Sequence, residues 1–96
     1  MSSEVDYTTN DFKVYVDVTE ERLKDGRLIP LSFVWEDGCR YEIDKVLDMR
    51  PAASLKAGGA GMRYTVRVRH QETFMFLEEE RDVSKWFMER KIRRSN

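Results

Sequence analysis

Residues 62–70 read MRYTVRVRH. Tyr64, Val66 and Val68 hold one set of alternate positions, and Arg63, Thr65, Arg67 and Arg69 hold the other. Successive side chains of an extended chain point to opposite faces, so this stretch predicts a strand with an apolar face inward and a cationic face outward. The same period of two recurs at 12–19, where Phe12, Val14, Val16 and Val18 alternate with Lys13, Tyr15, Asp17 and Thr19.

Working outward from 62–70, Gln71-Glu72 makes a weak turn into a fifth strand at 73–77, TFMFL. Its unbroken apolar character calls for burial on both faces or for a covering partner. On the other side, residues 49–61, MRPAASLKAGGAG, read as a long loop, with Pro51 stopping any strand. Asp25-Gly26 suits a tight turn, and Asp37-Gly38 between two β-rich runs is the strongest hairpin signal in the chain, read as type I′. The run at 27–36 should turn Ile29, Leu31, Phe33 and Trp35 inward. Pro30 makes that strand an edge strand or bulges it. The run at 39–48 loses its phase at Val46-Leu47, and a bulge there would restore it. Residues 82–94 fit either a strand pairing back onto TFMFL or a short helix, and the strand is the preferred reading.

These elements give an all-β chain: one antiparallel barrel of five to six strands over residues 12–90, a flexible segment at 1–11 and a basic tail at 91–96. Trp35, Tyr41, Ile43, Tyr64, Val66 and Val68 are the expected core. The chain has 96 residues, 41% hydrophobic and 36% charged. That suits one domain able to bury about two-thirds of its unfolded surface. One cysteine excludes an intrachain disulfide, and one cysteine with one histidine cannot build a Cys/His zinc site. No apolar run reaches the ~20 residues of a membrane span, and the polar start carries no signal peptide. A reducing cytoplasm and no membrane are therefore expected. The formal net charge of −1 hides a split, since residues 1–48 carry twelve acids and six bases, and residues 49–96 six acids and eleven bases.

Phe33-Val-Trp35, Asp37-Gly38, Tyr41-x-Ile43, Val46-Leu47 and Arg63-Tyr64-x-Val66-Arg67 occur in that order, closed by Trp86-Phe87. In this pattern residues 28–90 resemble small uncharacterised bacterial domains of SH3-like β-barrel type. The resemblance implies an SH3-like barrel whose last strand bears the Trp-Phe pair, and it supplies no catalytic residues.

Few residues offer reactive chemistry. A Cys39–His70 nucleophilic pair needs hydrogen-bond contact and an orienting third group, and nothing local places the two together. The sequence also lacks the G-x-S-x-G of a nucleophile elbow. The loop Lys56 to Gly61 has glycines suited to phosphate, but a P-loop needs G-x-x-x-x-G-K-[ST] opening a helix, and here a strand follows. Glu78, Glu79, Glu80 and Asp82 lack the spacing of a calcium loop and read as a solvated turn. Neither a catalytic residue, a metal site nor a cofactor is expected.

Two binding readings remain. Arg63, Arg67 and Arg69, joined by Lys85, Arg90, Lys91, Arg93 and Arg94, would form a basic patch, with Tyr15 or Phe87 stacking on nucleic-acid bases. The plainer account is a polar outer face answered by acids such as Glu42 and Asp44. A sequence pI near 5.9 lacks the basic footprint of nucleic-acid binding. Meanwhile TFMFL and Trp86-Phe87-Met88 offer more apolar surface than one thin barrel face covers, which points to a homodimer, a protein partner or an enclosed ligand, with Phe76, Trp86 and Phe87 as interface residues. The plainer account is that both sets are core. The expected function is a non-enzymatic interaction module, with a nucleic-acid-associated accessory domain as the alternative.

Overall fold

A computed structural model describes residues 13–52, 60–80 and 83–90. The expected flexible segment 1–11, Phe12, most of the glycine-rich loop and the basic tail with Lys91 lie outside these residues. Seven strands follow in chain order: β1 (Lys13–Arg22), β2 (Leu28–Val34), β3 (Arg40–Glu42), β4 (Lys45–Ala52), β5 (Ala60–Val68), β6 (Gln71–Glu80) and β7 (Val83–Glu89). All pairings are antiparallel, in the order β3-β2-β1-β7-β6-β5-β4. Within the C-terminal run, Val83–Glu89 is thus a strand on β6, and the strands exceed the expected five to six.

The expected single strand at 39–48 is two strands, and this division curls the sheet. β3 pairs with β2 and β4 pairs with β5, so one short run of chain supplies both edges. Ile43 N–H donates to the Leu31 carbonyl at 3.0 Å and Asp44 N–H to the Arg67 carbonyl at 2.8 Å. Those two residues tie the ends of the strand order together, and the sheet closes into a half-barrel.

Bulges correct the phase where the sequence conflicts with it. Val46 faces Val66 but Asp48 faces Thr65, leaving Leu47 as the extra residue, at the expected place. In β2, Thr19 faces Ser32 and Glu20 faces Pro30, so Leu31 is extra. Leu28 and Pro30 therefore turn inward before the bulge and Phe33 after it, while Leu31 stays 41% exposed. The inward phase expected for Ile29 and Leu31 fails because Leu31 is itself the extra residue, so the inward set changes parity there, from Leu28 and Pro30 to Phe33. Pro51 does not stop β4, since this is the last strand of the order and a missing N–H is tolerated at an edge.

The turns also depart from expectation. At Asp37-Gly38, Gly38 N–H donates to Trp35 O and Trp35 N–H to Cys39 O, both at 2.9 Å. Only Gly38 has positive φ (85°), which makes a three-residue turn ending in a glycine bulge rather than type I′. The Leu23–Arg27 turn repeats it, with Gly26 at φ 96°. The β5–β6 turn is Arg69-His70, not Gln71-Glu72, and both residues are left-handed, at φ 50° and 67°. Left-handed backbone costs an L-residue about 1–2 kcal/mol. His70→Gly should therefore raise stability by about 1 kcal/mol in denaturant unfolding, after the extra chain entropy of glycine is subtracted.

The core cluster joins Leu28, Phe33, Tyr64, Val66, Val68, Met75, Leu77, Trp86 and Met88. Tyr64, Val66 and Val68 are buried as expected, while Trp35, Tyr41 and Ile43 pack half-buried at its margin. β1 hands over its partner midway: Lys13 to Val16 pair with β7, and Asp17 to Arg22 pair with β2. A cleft of about 660 Å³ opens where β1 leaves β7. The Glu20 carboxylate crosses it, accepting from Trp86 Nε1 at 2.6 Å and from Ser84 Oγ at 3.2 Å.

Candidate functional site

The inner positions of β5, β6 and β7 are filled by Tyr64, Val66, Met75, Leu77, Trp86 and Met88, so their neighbours must point outward. That alternation puts Phe74, Phe76 and Phe87 on the outer face with Tyr15 of β1. Register aligns them in one row: Tyr15 faces Phe87, Phe87 faces Phe76, and Phe76 faces Arg63. The rings are in contact along it. Tyr15 and Phe87 meet edge-on with centroids 5.7 Å apart, Phe87 and Phe76 stack at 4.9 Å, and Phe76 meets Phe74 edge-on at 6.5 Å. Tyr15 and Phe74, at the ends, are 49% and 44% exposed.

Cations flank the rings. Lys13 Nζ lies 4.4 Å from the Phe87 centroid and 5.5 Å from that of Tyr15. It also approaches Glu78 at 3.5 Å, and Tyr15 Oη donates to Glu78 at 3.1 Å. The Arg63 guanidinium lies 4.7 Å from the Phe74 centroid, and its Nε is buried with no hydrogen-bond partner among the described residues. A buried unpaired donor on a half-covered arginine is costly unless a partner group satisfies it.

The three arginines read together from MRYTVRVRH have separate environments. Arg63 belongs to the aromatic row. Arg67 reaches Glu72 at 3.9 Å with both side chains exposed, a pair of little energetic weight. Arg69 sits in the turn, its guanidinium 4.7 Å from the Tyr41 centroid. The acids expected to answer this row, Glu42 and Asp44, make no ion pair with it among the described residues. Lys85 is exposed on β7, opposite Glu78 in register. Arg90 follows β7 and binds Glu36 through two hydrogen bonds, Nε to Oε2 at 2.9 Å and Nη2 to Oε1 at 2.8 Å. Those bonds hold the Glu36 carboxyl below its ordinary pKa.

Of the expected interface residues, Phe76 and Phe87 lie on the outer face, but Trp86 is core, 4% exposed and against Tyr64. It alternates with Phe87, so the two cannot share a face. Phe74 is the contact residue that sequence reading did not single out. Cys39 and His70 lie in different hairpin turns with no hydrogen bond between them, and no cluster of three His, Cys, Asp or Glu able to hold a metal occurs among the described residues. No helix among them is long and apolar enough to cross a membrane. No family model, curated protein or solved structure is significantly similar to this chain.

Proposed function

We propose that this chain is a non-enzymatic protein-interaction module, on an SH3-like barrel of the bacterial cytoplasm, that docks a partner protein on the outer face of β1, β7, β6 and β5. The contiguous row Tyr15–Phe87–Phe76–Phe74, exposed at both ends and flanked at Phe74 by the Arg63 guanidinium, carries this reading. Interfaces concentrate aromatic residues and arginine at their centre and leave a polar rim. Here Lys13, Lys85 and Arg67 share the surround with Asp17, Glu72, Glu78 and Glu89, so the rim carries both signs. The matching partner is a protein patch with an apolar centre and a carboxylate that reaches Arg63.

A single-stranded nucleic acid is the second reading, favoured by the cations lying on aromatic faces, an arrangement that also stacks bases. The mixed rim argues against it, because phosphate binding draws on a field of one sign.

A photo-crosslinking amino acid in place of Phe74 in the producing cells tests the proposal. A discrete protein adduct is expected from position 74 and none from position 31, the exposed Leu31 being outside the row. No adduct at 74, equal adducts at both, or an adduct that nuclease digests would overturn it.

A further inference from the structure

The half-barrel has a second recess, at the mouth bounded by the β2–β3 turn, the β5–β6 turn and the end of β7. It measures about 460 Å³ and is lined by Phe33, Trp35, Tyr41, Val68, Thr73 and Met88, with Arg69 on its rim. Small-molecule sites commonly span about 300–1,000 Å³, with apolar and aromatic walls and a few placed polar groups. Four features here match that description. Val68 and Met88 are core residues, 8% and 6% exposed, and give a rigid apolar floor. Half-buried Trp35 gives an aromatic wall, beside the edges of Phe33 and Tyr41, which stack on each other at 5.4 Å and 15°. The two-toothed Glu36–Arg90 pair joins the β2–β3 turn to the end of β7 beside the recess. Arg69 lies on Tyr41 and has no acid partner among the described residues.

The backbone adds an independent observation. Arg69 and His70 hold a turn that favours Asn-Gly, and strained non-glycine positions gather where a side chain is needed for a purpose. The strain fixes Arg69 at the recess, with one face of its guanidinium on Tyr41 and its N–H edges able to bind. Guanidinium edges match a carboxylate in a bidentate fork. Of the other charges there, Glu36 and Arg90 pair with each other, Asp37 accepts from the Tyr41 hydroxyl at 3.2 Å, and Glu89 also borders the recess, so Arg69 is a cation without an acid partner there among the described residues.

We infer that the mouth of the half-barrel is a binding site for a flat aromatic carboxylate, its ring held against Trp35 and the edges of the Phe33–Tyr41 stack and its carboxylate held by Arg69. The site is separate from the outer aromatic row, and its test does not depend on that row.

The probe is 1-naphthoate, titrated into the isotope-labelled chain and followed by amide and indole NMR shifts. Saturable shifts are expected at the Trp35 indole and at the amides of Tyr41, Val68 and Thr73. Arg69→Asn, which suits the left-handed position and so preserves the turn, should weaken naphthoate by about tenfold or more. Neutral 1-naphthylmethanol should bind the native chain and Arg69→Asn equally well. No saturable shift at millimolar naphthoate, shifts confined to Tyr15, Phe74 and Phe87, or naphthoate affinity unchanged in Arg69→Asn would overturn the assignment.

Discussion

Replacing Met75 with alanine should destabilise the fold by about 2–5 kcal/mol, whereas replacing its neighbour Phe74 should cost about 0.5 kcal/mol or less. Both residues belong to TFMFL, and hydropathy does not separate them. Met75 is 0% exposed and lies in the core cluster, so truncation loses transfer energy and leaves a cavity in that cluster. Phe74 is 44% exposed on the outer face, where its contacts are Phe76 and the Arg63 guanidinium. Urea unfolding of the two variants side by side checks the claim. Equal losses would mean that the outer aromatics are part of the core and that the row is not a free surface.

Tyr64→Phe should cost about 1–3 kcal/mol at neutral pH and should also flatten the alkaline limb of the stability curve. The Tyr64 hydroxyl, in a residue 1% exposed, donates to the Leu28 carbonyl at 2.5 Å and so joins β5 to the start of β2 across the core. Burial pushes its pKa up to about 12, with the negative charges of Glu79 and Glu20 adding to the rise and Arg27 opposing it. The unfolded chain releases this proton near pH 10 and the folded chain only near 12. Between those values the unfolded state binds fewer protons, so stability falls as pH rises. Below pH 10 the contribution is complete. Thermal unfolding measured from pH 8 to 12 should show a steeper loss above pH 10 in the native chain than in Tyr64→Phe. Parallel curves would place the hydroxyl in water.

The strands that hold one apolar set were legible in sequence. At 62–70 and 12–19 one face is apolar and the other polar, so a one-residue slip would bury arginine or aspartate, and phase is fixed by composition alone. TFMFL lacks that contrast, and its two faces separate only through the β5–β6 pairing. Yet the pairing carried the answer. A two-residue turn at either Arg69-His70 or Gln71-Glu72 sets Phe74 and Phe76 on the arginine face of β5, so the aromatic row was implicit in the parity of the hairpin. Trp86 and Phe87 are adjacent in sequence, and adjacency in a strand puts them on opposite faces. The Leu31 bulge and the division of 39–48 were hidden because each depends on a partner strand far away in sequence. The Arg69-His70 turn was hidden because neither residue is a left-handed former. Its conformation is imposed by the β5–β6 register.

The outer aromatic row, as proposed, is one docking surface, energetically separate from the core. This is tested most directly by placing the crosslinking amino acid at Tyr15 and asking whether Phe74→Ser, at the far end of the row, removes the adduct. Adduct yield and melting temperature are measured on the same protein. The protein adduct is expected to disappear while the melting temperature stays within a few degrees of the native value, because a hot-spot aromatic at an interface is worth about 2 kcal/mol or more and an exposed one is worth little to folding. An adduct of unchanged yield, or one lost only together with the fold, would contradict it.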